Sequence, residues 1–470
     1  MTNFLFFLQN ILLGIPAVVM ILGIGLLIGF RTRFVQLRLL SKAVRELVRG
    51  LRRKNGPGGI SPFQSLCTAL AATVGTGNLV GVAGAICLGG PGAVFWMWIS
   101  GILGMGTKYA EVTLALRYRV SREDGYIGGP MYMIRRGLGR KWMPLARLYA
   151  GLGIAAAFGV GNTAQINALV WSVNSAVVRY GGRVFPGRNL GIGLLVAAAV
   201  GLTLLGGAKR IGQLSQILIP FLSGGYILLC AAVLVLRRDM LGQAFSSIFL
   251  GAFSPRAVSG GLIGSFLRPL RVGCSRGIFT NEAGMGTASI AHAGANTEHP
   301  AQQGLLGIVE VFLDTLVMCT MTALVILVSG SPIPYGEDGG SGLSVNAFSL
   351  VLGDWVSVFL AAALCCFAFS TVLGWGLYGA RCAQFLFGPG AWGPFALAQT
   401  LCVIPGALLK TETLWRVSEL LNGAMAIPNL MALAALLPEL QRLTIEYERK
   451  SGGKSPVEVQ YADFHQCKPL

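Results

Sequence analysis

The sequence predicts an all-α integral membrane protein of about eleven transmembrane helices, an extra N-terminal helix followed by a five-plus-five inverted repeat. Three observations lead there. The 470 residues are 54% hydrophobic and only 12% charged, against roughly 25% charged residues in a soluble domain. Apolar runs of about 20 residues, the length that crosses a bilayer, recur along the chain. One such run, residues 66–88 (LCTALAATVGTGNLVGVAGAICL), is interrupted at its centre by Val74-Gly75-Thr76-Gly77-Asn78. Glycine inside a helix costs roughly 1 kcal/mol against alanine. Unwound backbone at bilayer depth survives only where protein buries it or a cavity meets it.

The expected spans are centred on Met20, Gly77, Ile99, Gly161, Ala198, Ile227, Cys274, Met318, Cys366, Cys402 and Asn429. The first reads as a retained helix. It lacks a basic n-region and a small-residue cleavage site, and its apolar run over 11–30 is long for a signal peptide. Between residues 31 and 54 lie nine Lys/Arg and one acid, Glu46, which marks this stretch as cytoplasmic. The N-terminus then lies outside and the C-terminus inside. Residues 117–147, Lys209, Arg210, Arg381 and Arg442 also fall inside, while the loop 329–344, free of Lys and Arg, falls outside. The basic stretches 179–188 and 237–238 run against the rule. The chain thus divides into an N-terminal helix and basic loop (1–54), two five-helix repeats (55–240 and 241–446) and a polar cytoplasmic tail (447–470).

Each repeat opens on an interrupted segment. In the second, the span after Gly260 is broken by Arg268-Pro269, Gly273 and Arg276-Gly277 before it continues through Ile278, Phe279, Thr280, Asn281 and Glu282. Corresponding interruptions in two halves point to the substrate site of an inverted-repeat transporter. The first break offers carbonyls over 71–75 to a hard monovalent cation, and amides near Gly77 to an anion at a helix start. Asn78 adds a donor and an acceptor. Close packing of glycines around a satisfied core amide is the blander reading of the same residues. In the second break Glu282 either pairs with Arg276 or Arg271 as a gate or clamp, or already sits at the cytoplasmic interface. Ser370 and Thr371 are adjacent hydroxyls, and Trp375 lies one turn beyond Thr371 on the same face. Gln165 is a mid-span amide, either cavity-facing or satisfied in the core. Lys108 and Glu111, one turn apart, read as an interfacial ion pair, and Glu310 and Asp314 as a proton site or a polar pair at a helix end.

Other classes are excluded on composition. A net charge of +18 suggests nucleic acid in a soluble protein, but here the basic residues sit between apolar runs, where they set topology and meet anionic lipid. Of ten cysteines, Cys67, Cys87, Cys230, Cys319, Cys365, Cys366 and Cys402 lie within expected spans, and no Cys/His spacing suits zinc. The three histidines, His292, His299 and His465, form no metal set, and no phosphate-binding GxxxxGK[ST] loop occurs. Neither an enzyme nor an obligate protein partner is expected.

Several stretches resemble one family, the alanine or glycine:cation symporters. They are TALAATVGTGNLVGVAGAICLGGPGAVFWMW (68–98), GMGTKYAEVTLALRYR (104–119), GGPMYMI (128–134), AAFGVGNTAQIN (156–167), RGIFTNEAGMGTASIAHA (276–293), LDTLVMCTMTALVIL (313–327), FAFSTVLGWGLYG (367–379) and NGAMAIPNL (422–430). The resemblance covers nearly the whole chain in order. It implies a leucine-transporter-like fold in the cytoplasmic membrane of a bacterial cell, with a small neutral amino acid carried alongside sodium. Matched motif by motif, it implies a substrate pocket of Thr73, Gly75, Thr76, Gly77, Asn78, Gln165, Gly277, Ile278, Thr371 and Trp375. It places sodium between the carbonyls of Ala71 and Val74 and the hydroxyls of Ser370 and Thr371.

The expected function is therefore sodium-coupled uptake of alanine or glycine. Proton-coupled or exchange-type transport of a small amino acid is the alternative, and a passive channel is a weaker one. On this reading Asn78→Ala abolishes transport and leaves the fold intact.

Overall fold

The computed structural model describes residues 15–52, 60–122, 125–254, 267–337, 340–409 and 411–451, and nearly all are helical. Arg53, Lys54, His465, the start of the span after Gly260 and most of the 447–470 tail lie outside the described residues. The chain opens with α1 (Ile15–Arg31) and α2 (Leu40–Arg52). The first broken helix follows as α3 (Pro62–Thr73), a π-helical turn (Gly77–Gly81) and α4 (Val82–Gly89). Ser61 starts α3 with a capping box: its hydroxyl accepts the Gln64 amide, Gln64 Oε1 accepts the Ser61 amide, and Pro62 occupies the first helical position.

Then come α5 (Gly92–Arg117), a two-stranded hairpin of β1 (Val120–Arg122) and β2 (Gly125–Ile127), α6 (Met143–Phe158) and α7 (Ala164–Arg179). Helices α8 (Pro186–Leu204), α9 (Gly207–Leu236) and α10 (Leu241–Phe253) complete the first part. The second part holds α11 (Leu267–Asn281), α12 (Thr287–His292), α13 (Pro300–Val311) and α14 (Thr320–Val328). It ends with α15 (Gly340–Leu352), α16 (Trp355–Phe387), α17 (Trp392–Leu408), α18 (Thr411–Ala435) and α19 (Leu437–Ser451).

Six continuous helical stretches among the described residues are long and apolar enough to cross a membrane, and eight if each of two bent pairs is one span. One bent pair is α3 with the segment Gly77–Gly89, turned by 51°. α5 is long enough but carries Lys108 and Glu111, and α1 is described only from Ile15. The stretch 31–54, expected as a loop, folds largely as α2. Its basic end meets α19 through the Arg38–Glu448 ion pair and Lys42 over the Tyr447 ring. Helix α19 extends to Ser451, so the start of the expected tail is ordered as helix.

Helix α5 is the hub, packing along α11 and α13 and against α1 and α10. Small residues permit this closeness. A Cβ on Gly92 would overlap the backbone of Gly251, one on Gly273 the Ala93 carbonyl, and one on Gly277 the Ser100 hydroxyl. This corrects the expected position of the second break. Arg268-Pro269, Gly273 and Arg276-Gly277 lie within continuous α11. Pro269 falls in its first turn, where it blocks no helical bond, and the glycines serve contact with α5. The chain breaks later, over 282–286, where Glu282, Gly284 and Gly286 all have positive φ.

Buried charge ties the hub to its neighbours. Lys108 Nζ lies 3.3 Å from Glu310 Oε1, with both side chains inaccessible, so the expected Lys108–Glu111 pair is replaced by one across helices. Glu310 Oε2 meets His292 Nε2 at 3.1 Å, and Gln303 Nε2 meets His292 Nδ1 at 2.8 Å. Glu111 Oε1 instead accepts the amides of Gly284 and Gly286 and the side-chain amide of Asn429. Helical geometry puts Lys108 and Glu111 on one face of α5, but α13 supplies a carboxylate and the break after α11 supplies donors.

Removing one partner of a buried ion pair strands the other, at roughly 3–5 kcal/mol. Lys108→Met should lower the melting temperature of the detergent-solubilised protein sharply. Adding Glu310→Gln, which removes the stranded charge, should restore most of the loss.

Candidate functional site

The site begins with one diverted amide. In an unbroken helix the Gly75 N–H would donate to the Ala71 carbonyl. Val74 instead turns extended (φ −76°, ψ 116°), and the Gly75 amide donates to Asn78 Oδ1 at 2.8 Å. The Ala71 carbonyl is thereby released. It accepts the Thr371 hydroxyl of α16 instead, at 3.1 Å, and Ser370 Oγ, whose proton goes to the Phe367 carbonyl at 2.8 Å, lies 3.5 Å away. Gly75 has no side chain for a steric reason as well: a Cβ there would lie 3.1 Å from Thr371 Oγ1. The break and the two hydroxyls are one construction, at the depth where lipid offers no hydrogen bonds.

A small cavity of about 20 Å³ opens beside the break, room for roughly one water molecule. Thr73, Gly75, Thr76 and Gly77 line it from the first broken helix, Gln165 from α7, and Thr371 and Trp375 from α16. Thr76 Oγ1 donates to Gln165 Oε1 at 3.1 Å, and Gln165 Nε2 donates to the Val160 carbonyl at 3.2 Å. That carbonyl belongs to a π-helical turn (Gly159–Thr163) inside the span Arg140–Arg179. Across from it, Gly161 admits Trp375, whose Cβ a side chain at 161 would overlap.

Three of the expected pocket residues do not line the cavity. Asn78 is inaccessible and fully engaged. Besides accepting from Gly75, its Nδ2 donates to Asp314 Oδ1 at 2.8 Å and to the Asp314 carbonyl at 3.1 Å. It braces the wall from behind. Gly277 and Ile278 are buried in α11 against α5 and do not line the cavity. Val74 is buried at the end of α3, where its amide donates to the Leu70 carbonyl.

Glu282 also departs from expectation. Its carboxylate is bonded not to Arg276 or Arg271 but to Trp375 Nε1 at 3.1 Å and Thr287 Oγ1 at 2.5 Å. The cause is local. α11 ends at Asn281, Glu282 takes φ 53°, and Asn281 Oδ1 catches the Ala283 amide. The turn carries the carboxylate into the cavity wall, where it lies 5% exposed. Glu310 and Asp314, expected as a pair, are divided between the Lys108 cluster and Asn78. Thr315 Oγ1 donates to Asp314 Oδ2 at 2.9 Å.

Sequence reading did not place Ala72, Val160, Phe279, Thr280 and Asn422 in the cavity wall. Asn422 was detectable as an amide opening the apolar run NGAMAIPNL of α18. It also missed that three π-helical turns, Gly77–Gly81, Gly159–Thr163 and Phe312–Cys319, gather around the break.

Comparison with known proteins fits this arrangement. Residues 1–460 match the profile of the sodium:alanine symporter family. The sodium/alanine symporter AgcS of Methanococcus maripaludis is 39% identical, over 89% of this chain and 91% of that protein. An uncharacterised transporter of Haemophilus influenzae is 40% identical over 92% and 93%, and the probable sodium/glutamine symporter GlnT of Bacillus subtilis 37% over 94% and 89%. In fold, the chain resembles MhsT, solved with L-phenylalanine. The TM-score is 0.58 at 18% identity, over 81% of this chain and 90% of MhsT.

The geometry changes the expected consequence of Asn78→Ala. The substitution strips the Gly75 amide of its acceptor and Asp314 of a donor, at roughly 1–3 kcal/mol for each buried group left unpaired. A drop in melting temperature should therefore accompany any loss of function, measured by thermal unfolding in detergent.

Proposed function

The chain belongs to the sodium:alanine symporter family, and from that premise we propose that it carries a small neutral amino acid, alanine or glycine, inward with sodium. The observation that carries this reading is the released Ala71 carbonyl facing the Ser370 and Thr371 hydroxyls beside the cavity. Sodium is a hard cation that exchanges its hydration for oxygen ligands of this kind. The carbonyls of Ala71 and Val74 and the two hydroxyls are its proposed ligands, with the ion travelling as cargo. The amino-acid carboxylate is proposed to meet the start of the second half-helix at Gly77, the positive end of that helix.

Substrate size follows from the walls. Trp375 and Gln165 close on a space of about 20 Å³, so even a small amino acid requires the walls to part. Parting them is the work of alternating access, in which the broken helices rock against the scaffold held by α5 and α13. The full architecture on this reading is eleven spans, with repeats over 55–240 and 241–446. The N-terminus lies outside and the C-terminus in the cytoplasm. Proton coupling is the second reading. Asp314 favours it, being an inaccessible carboxylate bonded to the side chain that shapes the break.

In reconstituted vesicles, radiolabelled alanine uptake should collapse when choline replaces sodium. Equal uptake in both buffers would overturn sodium coupling, and uptake driven by a pH gradient alone would favour the proton. Thr371→Ala should raise the sodium concentration for half-maximal uptake by about tenfold, the equivalent of ~1.4 kcal/mol. Gly161→Ala should push Trp375 into the cavity and cut uptake with little change in the sodium requirement.

A further inference from the structure

The cavity has a charge pattern that the proposed function leaves unused. Among the described residues Glu282 is its one ionisable side chain, and no Lys, Arg or His lines it. The Glu282 carboxylate is held in place on two sides, by Trp375 Nε1 and Thr287 Oγ1. A carboxylate has about four acceptor positions, so capacity remains. Its backbone sits in the left-handed region, φ 53°, a conformation that costs a residue with a side chain and that recurs at functional sites. The flanking grip explains how the strain is sustained. Glu111 and Asn429 hold Gly284 and Gly286, and Asn281 holds the Ala283 amide.

Asn422, on α18, lines the same cavity from another element. It is 2% exposed, and among the described residues its Oδ1 meets no donor. A buried acceptor without a partner is uncommon in native proteins and calls for an explanation. Here two acceptors, one of them a carboxylate, face a single small space from α18 and from the break after α11. The complementary group is positively charged and carries several N–H donors.

We infer that Glu282 and Asn422 form the ammonium end of the cavity, so that the protein selects amino acids through a free, protonated α-amine. This rests on the proposed function and extends it. The helix start at Gly77 takes the carboxylate, and the opposite charge of the zwitterion goes to Glu282 and the Asn422 oxygen. Hydroxy acids and N-acylated amino acids of the same size are then excluded on chemistry, not on fit. Sodium is the competing occupant of two oxygen acceptors, and the test separates the two.

The full-length protein is reconstituted with a sodium gradient, and initial rates are measured against alanine and against sodium for wild type, N422L, N422D and E282Q. Each variant is first checked for monodispersity by size exclusion. N422L should raise the KM for alanine by about tenfold or more, the effect of losing a hydrogen bond to a charged group, and leave the sodium dependence in place. N422D, which keeps the oxygen and adds negative charge, should hold or improve alanine affinity. E282Q should weaken it. L-lactate and N-acetyl-L-alanine in excess should not compete in wild type.

Three results would overturn the inference. One is an unchanged alanine KM in N422L. Another is a monodisperse N422D that loses alanine while N422L keeps it, which would put the carboxylate at Asn422. The third is a shift in sodium dependence without one in alanine, which would give these acceptors to the cation. A wild type that takes up no alanine under a sodium gradient would instead overturn the proposed function.

Discussion

The donation of the Gly75 amide to Asn78 Oδ1 is the interaction on which the site depends. A backbone amide buried in apolar surroundings must find an acceptor, and in a helix the acceptor is fixed by geometry. Supplying another one three residues ahead ends the helix and leaves a carbonyl without its donor. That carbonyl, Ala71, then accepts the Thr371 hydroxyl of α16, with Ser370 Oγ 3.5 Å away. One side chain thus turns local backbone chemistry into a long-range contact. It also bends the two halves by 51°, which opens the space that Thr73, Thr76 and Trp375 line.

A diverted amide needs a rigid surround, and the surround is built from buried charge. Asn78 holds its position because its Nδ2 meets the Asp314 carboxylate, the Asp314 carbonyl and Cys319 Sγ. The second break holds because Glu111 and Asn429 collect the amides and carbonyl that the turn at 282–286 exposes. Lys108, Glu310, His292 and Gln303 pin α5, α12 and α13 into one body. Such groups are costly in isolation and stable only as complete sets.

Much of this was legible in the chain. The first break could be placed to the residue, because glycine, threonine and asparagine within an apolar run have few other meanings. Ser370, Thr371 and Trp375 could be grouped by helical spacing alone. The second break could not be placed, because Gly273 and Gly277 look the same in sequence whether they unwind a helix or let another one approach. Here they do the latter, against Ala93 and Ser100. Polar partners were likewise hidden. Lys108 has Glu111 one turn away, yet Glu310, two hundred residues on, is the carboxylate it meets.

By itself, then, the sequence determined the membrane class, the helical architecture, the family and the location of the first break. The family follows from the resemblance of its motifs in order, and the rest from composition, periodicity and local backbone cost, all properties of neighbours along the chain. Only the tertiary structure decided which polar groups face the cavity and which brace it. Asn78 looked like a ligand, and its side chain is bonded to the Gly75 amide and to Asp314. Glu282 looked like half of an ion pair and faces the cavity, and Asn422 drew no notice until α18 was packed beside it. The reason is that a buried polar group is defined by its partners, and those partners come from helices far apart in sequence.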